Sequence, residues 1–180
     1  MTRIRHLAAC VVALAAGTGF AAVAQAEPTT VSMNLITAEG GGAPIGTIAL
    51  EDSSDGLVLK PDLKGLPPGE HGFHLHVNPS CAPGEQEGKM AAGIGAGGHF
   101  DPHETKKHLG PDADGGHQGD LPLLKVADDG SAGGTLVAPH LKLADMMGHA
   151  LMIHAGGDNY ADQPKPLGGG GARIACGVVQ

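Results

Sequence analysis

Beyond residue 26 the apolar residues of this chain come in short segments cut apart by Gly, Pro, Asp and Asn, and no helical 3.6-residue period runs for long. Glycine alone supplies 31 of the 180 residues. A chain so punctuated does not propagate long helices, because each interior glycine costs about 1 kcal/mol relative to alanine. No internal repeat is visible. The pattern predicts β structure, with candidate strands at 31–36, 45–50, 57–60, 72–77, 121–127, 134–138, 150–154 and 172–179. Asp128-Asp129-Gly130 predicts a hairpin turn between the strands that flank it. About eight short strands suggest an antiparallel sandwich or barrel. Two segments break the strand spacing, 79–120 and 156–171. Both are long, polar and rich in Gly and Pro, and they hold or adjoin most of the histidines. Ordered loops of that length on a small sheet scaffold tend to carry function.

Residues 1–26 are expected to be a secretory signal that is removed. Arg3 and Arg5 lead into the apolar stretch 7–16, and Ala24-Gln25-Ala26 supplies a small-residue cleavage pattern. A membrane anchor is disfavoured, because Gly17, Thr18 and Gly19 interrupt the stretch short of the roughly 20 residues a span needs. Residues 27–180 are then one domain. The leader takes two bases and no acid with it, so the net charge moves from −8 to −10. An acidic chain with 2% aromatic residues lacks the cationic stripe and stacking platforms of a nucleic-acid binder. Cys10 leaves with the leader, and Cys81 and Cys176 remain. In an oxidising compartment one disulfide is the economical reading; two thiols bound to metal are the alternative, weakened because neither sits in a Cys-x-x-Cys pair.

Histidines number 11, as many as Lys and Arg together. In Phe73-His74-Leu75-His76-Val77 two of them stand two apart on a predicted strand, so both point to one face and can converge on one ion. In the loop, His99, His108, His117 and Asp120 are spaced 9, 9 and 3 apart, three imidazoles and a carboxylate that make a tetrahedral set suited to zinc. Solvated loop histidines without a partner are the plainer alternative. His74 and His76 then need further nitrogen ligands, and His154 is the nearest later strand histidine. Three nitrogens plus a fourth would suit Cu(II), and a bridging imidazole could supply the fourth. Counting does not say which histidine bridges.

With these residues in place the chain resembles the exported bacterial branch of the Cu/Zn superoxide dismutases. The likeness rests on His71-Gly72-Phe73-His74-Leu75-His76, Cys81, Gly97-Gly98-His99-Phe100-Asp101-Pro102, Lys107-His108-Leu109-Gly110-Pro111, Gly116-His117-Gln118-Gly119-Asp120-Leu121-Pro122, the segment 151–160, and Gly168 to Cys176 with its flanking residues. Gln118 stands where an apolar residue is expected. The resemblance implies an eight-stranded Greek-key β-barrel. It implies copper on His74, His76, His99 and His154, and zinc on His99, His108, His117 and Asp120, one ion of each per subunit. His99 would be the bridge, and Asp158 a carboxylate that orients one ligand of each ion. Arg173 would draw a small anion toward copper, with Lys165 as a second candidate cation. His71, His103, His140 and His149 are expected to be ordinary polar residues.

The activity so implied is dismutation of superoxide to O₂ and hydrogen peroxide, with His99 taking a proton between two half-reactions. The expected setting is the periplasm, as a monomer or homodimer. Two rivals remain: a copper and zinc buffer or carrier on the same fold, which has no use for Arg173, and a structural sandwich, which has no use for seven converging ligands.

Overall fold

The computed structural model describes residues 29–180. The expected leader, 1–26 with Cys10, lies outside the described residues. Eleven strands follow in chain order: β1 (Thr29–Thr37), β2 (Gly40–Ser53), β3 (Gly56–Leu63), β4 (Gly69–His71), β5 (Phe73–His76), β6 (Gly84–Gln86), β7 (Lys89–Ala91), β8 (Leu124–Val126), β9 (Leu136–Ala138), β10 (Ala150–His154) and β11 (Arg173–Val178). One helical turn, Leu143–Met146, precedes β10. All eight predicted strands are present. Three more of three residues each, β4, β6 and β7, were too short to leave a period.

Seven strands form one antiparallel sheet in the order β5-β10-β11-β1-β2-β3-β9, while β4 pairs with β8 and β6 with β7. The sheet curls into a Greek-key β-barrel around Val31, Met33, Ile48, Leu50, Leu57, Leu59, Leu75, Leu124, Leu151 and Ile153, all at most 2% exposed. In β1 the alternation is direct, Val31 and Met33 facing in and Thr30 and Ser32 out.

The turn at 128–130 forms, closed by Ala127 N donating to Ser131 O at 2.8 Å and by the Asp129 carboxylate accepting from Ser131 N at 3.0 Å. The hairpin predicted there does not. β8 leaves to pair with β4 and β9 with β3, so the turn crosses between strand pairs. A turn signature fixes where the chain reverses; partner choice is decided by which faces must be buried.

Candidate metal centre

The core sets the site's position. In β5, Phe73 and Leu75 enter the barrel core, so His74 and His76 project from the opposite face. In β10, Leu151 and Ile153 do the same, while Ala150 and Met152 belong to a smaller apolar cluster on the other face with Ile36, Ala96 and Cys176. His154 ends that strand, paired with Arg173 across a bulge.

β5 is an edge strand, and two loop segments satisfy its free backbone groups. Leu75 N donates to Gly119 O (2.9 Å), Phe100 N to Leu75 O (2.8 Å) and Leu121 N to Phe73 O (3.2 Å). These bonds place His99 opposite His76 and Asp120 opposite His74. An open sheet edge invites pairing with another chain; here it instead draws both ends of the predicted metal loop against the two strand histidines.

The ring nitrogens divide between anchors and free atoms. His74 Nε2 donates to Asp158 Oδ2 (2.8 Å), His76 Nδ1 to Gly97 O (2.9 Å), His154 Nδ1 to Gly171 O (3.2 Å) and His108 Nε2 to Asp158 Oδ1 (2.7 Å). Each ring keeps one nitrogen uncommitted. His74 Nδ1, His108 Nδ1 and His117 Nδ1 are buried without a hydrogen-bond partner, although a buried polar atom left unpaired costs about 1–3 kcal/mol. His76 Nε2 and His154 Nε2 face each other at 3.4 Å. Around Asp120, His99 Nδ1 and His108 Nδ1 each stand 2.9 Å from a carboxylate oxygen and His117 Nδ1 stands 3.4 Å away. Converging, unpaired, buried nitrogen lone pairs of this kind fit cations, and the anchoring partners are of the type that orients metal-binding imidazoles.

Two groups of four bring their ligand atoms within 4.8 Å of one another: His74, His76, His99 and His154, and His74, His99, His108 and Asp120. The first is the set expected for copper. The second carries His74 where the expected zinc set has His117, whose ring lies one step out, 5.4 Å from that of His99 between centroids. Because His99 Nδ1 faces Asp120, its Nε2 is left for the first group.

Without cations the two halves differ electrically. Burial lowers the basicity of His74 and His76 and brings His99 to about 4 and His154 to about 3, so those imidazoles are neutral at pH 7. Burial opposes charge on His108 too, but the Asp120 carboxylate 2.9 Å from its Nδ1 and its hydrogen bond to Asp158 win and hold it up to about 9. Burial would raise both carboxyls, yet the histidine hydrogen bonds hold Asp120 and Asp158 far below the usual carboxylate range.

Arg173 is half-buried beside this cluster. Its Nη1 donates to Gly93 O (2.5 Å) and its Nη2 to Gly97 O (2.7 Å), the carbonyl that also anchors His76. Cys81 and Cys176 form the disulfide, with Cα atoms 5.7 Å apart, tying the loop that carries Gly93 and Gly97 to β11. A cavity of about 340 Å³ opens over His99, His154, Leu167 and Arg173. Lys165 packs its aliphatic chain near Gly169, two residues from Leu167, and is absent from the cavity lining. Of the remaining histidines, His71 bonds His154 O and Pro67 O, His149 bonds Val77 O, His140 O accepts from Gln118 Nε2, and His103 lies on the surface. Sequence reasoning missed Tyr160 and Asp162, which grip the same loop. Their one signal is an acid four residues after Asp158 flanking the chain's only tyrosine.

Comparison with known proteins gives the family. The family model described as copper/zinc superoxide dismutase matches residues 45–179. The Cu-Zn superoxide dismutase of Escherichia coli (strain K12) is 49% identical over 178 residues, covering 98% of this chain and all of that protein. The solved structure of the Brucella abortus Cu/Zn enzyme superposes with a TM-score of 0.83 at 53% identity, covering 86% of this chain and 100% of that one. The monomeric Salmonella enterica Cu,Zn enzyme, solved in solution, gives 0.76 at 53% identity with the same coverage. The chain belongs to the copper/zinc superoxide dismutase family.

Proposed function

We propose that this chain converts two superoxide anions and two protons into O₂ and hydrogen peroxide; His74, His76, His99 and His154 would hold copper, and His99, His108, His117 and Asp120 would hold zinc. The observation that carries the reading is that four of these rings, His74, His76, His108 and His154, are each anchored through one nitrogen to a partner outside the two ligand sets, which leaves the other nitrogen toward the cluster. His117 is preferred to His74 for zinc because its buried Nδ1 is unpaired beside Asp120, whereas His74, with Nε2 committed to Asp158, has one free nitrogen, and the copper set takes it.

When bound, copper supplies one-electron exchange in both directions and zinc a fixed positive charge. Arg173 receives the anion: two carbonyls fix its guanidinium at the cavity wall, so a small anion meets a cation whose position costs no further ordering. His99 is the proton carrier. Its Nδ1 stays on the Asp120 side, while Nε2, once free of the metal, would take one proton and give it up to the product hydrogen peroxide, whose second proton would come from water. Asp158 keeps the His74 and His108 rings turned so that their Nδ1 atoms face the cluster. Among the described residues no helix is long and apolar enough to cross a membrane. We assign residues 1–26 as a cleaved secretory signal, 27–180 as the enzyme domain, and the periplasm as its location, with the protein acting as a monomer or homodimer.

The test is metal analysis of the purified domain coupled to a superoxide assay with and without added copper. Activity that rises with copper occupancy supports the reading. Full copper and zinc occupancy without activity would make the chain a metal buffer.

A further inference from the structure

We propose that Tyr160 and Asp162 form a clasp that presets His108 for zinc before the ion arrives. The loop that carries His108 is rich in Gly and Pro, and ordering a residue of such a loop costs about 1–2 kcal/mol. A ligand ordered in advance spares the binding step that cost. Asp162 Oδ2 accepts from the His108 main-chain N at 3.1 Å, on the far side of the residue from its Asp158-bound ring. Tyr160 reaches the middle of the loop and the segment just past it. Its ring lies so close against Gly110 that a Cβ there would come within 2.6 Å of the Tyr160 Cγ. Its hydroxyl accepts from Leu123 N at 2.9 Å, three residues past Asp120. Its own N donates to Asp158 Oδ1 at 2.8 Å, the oxygen that holds His108 Nε2. Tyr160 adopts φ +55, a left-handed conformation that bulky side chains rarely take, which the surrounding contacts hold in place.

Asp158 touches one ring of each proposed metal set, so it cannot favour one ion. Asp162 and the Tyr160 side chain hold the zinc loop and its exit, at His108, Gly110 and Leu123. They are therefore positioning residues whose loss acts on zinc selectively.

The inference rests on the zinc set proposed above, so the experiment starts with His117→Ala, which must weaken Zn²⁺ binding; if it does not, the zinc set itself is wrong. With that established, Zn²⁺ competition titrations on Asp162→Ala and Tyr160→Phe are expected to show affinity reduced by about 10- to 100-fold, the usual consequence of losing an outer partner of a metal ligand. Tyr160→Ala, which also removes the ring from Gly110, loses more than Tyr160→Phe. Cu²⁺ affinity measured with Zn²⁺ in excess stays at the wild-type value, and the visible absorption bands of the Co²⁺-substituted protein change in shape. Zn²⁺ affinity and Co²⁺ spectra equal to wild type in the folded variants overturn the clasp, as does a parallel fall in the affinities for both ions, which would mark a merely structural role. Should Asp162→Ala fail to fold, Tyr160→Phe, which removes one oxygen atom, decides the question alone by the same criteria.

Discussion

Replacing Gly168 by alanine puts a methyl group where the Asp158 carboxylate already is. An ideal Cβ on Gly168 would lie 1.8 Å from Asp158 Oδ1 and 2.7 Å from His108 Nε2. Gly168 cannot easily retreat, because its N donates to Ala161 O and its carbonyl accepts from Asn159 N. The cost has two parts. Alanine at φ +69 costs about 1–2 kcal/mol in backbone strain. Displacing Asp158 strains its bonds to His74, His108 and the Tyr160 amide; losing two of them, at about 1.5–3 kcal/mol for each bond to a charged group, adds roughly 3–6 kcal/mol. A total of about 4–8 kcal/mol is comparable with the whole stability of a domain this size. The assay is urea unfolding of the metal-free protein as a double-mutant cycle with Asp158→Ala. Where the carboxylate has been removed, Gly168→Ala should cost the backbone part of about 1–2 kcal/mol and whatever the remaining contact with His108 Nε2 demands, clearly less than in the wild-type background. An equal cost in both backgrounds refutes the steric reasoning, since it would mean that the methyl and the carboxylate do not meet.

His154 belongs to the proposed copper set alone, so metal analysis of His154→Ala should show copper falling while zinc stays near full occupancy; equal loss of both contradicts the assignment. Arg173→Glu reverses the charge at the cavity wall, and the superoxide assay should fall much further than copper content; unchanged activity removes Arg173 from substrate guidance. The disulfide closes a 95-residue loop, so Cys176→Ser should lower unfolding stability by about 4–5 kcal/mol on chain-entropy grounds, read by the same urea titration. For the metal-free protein the pH dependence has a definite sign. His99 and His154, held to about 4 and about 3, bind protons only once unfolded, so their contribution is complete above pH 6.5 and shrinks as pH falls. By pH 5 each forfeits roughly 2 kcal/mol. His108, held up to about 9, acts oppositely: its contribution is complete below pH 6.5 and is lost as pH rises through 9. Stability of the metal-free protein should therefore peak near neutrality, and a monotonic rise toward low pH would refute the assignments.

Much of this molecule is visible in its sequence because the relevant signals are local. Alternation along β5 places Phe73 and Leu75 inward and His74 and His76 outward whatever the rest of the chain does. The spacing of His99, His108, His117 and Asp120 within one Gly-rich loop marks them as a group without any knowledge of where that loop docks. Signals running the other way failed for the same reason. Asp128-Asp129-Gly130 specifies a reversal, but its flanking strands pair with β4 and β3, which lie far away in sequence. Tyr160 and Asp162 look like ordinary loop residues until the loop they grip lies beside them.

The sequence by itself determined which residue types were available and on which face of each strand they stand, since side-chain direction follows from a period of two residues. Only the tertiary structure decided which nitrogen of each ring is anchored and which is free. That choice depends on carbonyls and carboxylates at Gly97, Gly171 and Asp158, which lie 17 to 84 residues from the rings they hold. They come within hydrogen-bond reach only once the sheet has curled and both long loops have closed over β5 and β10.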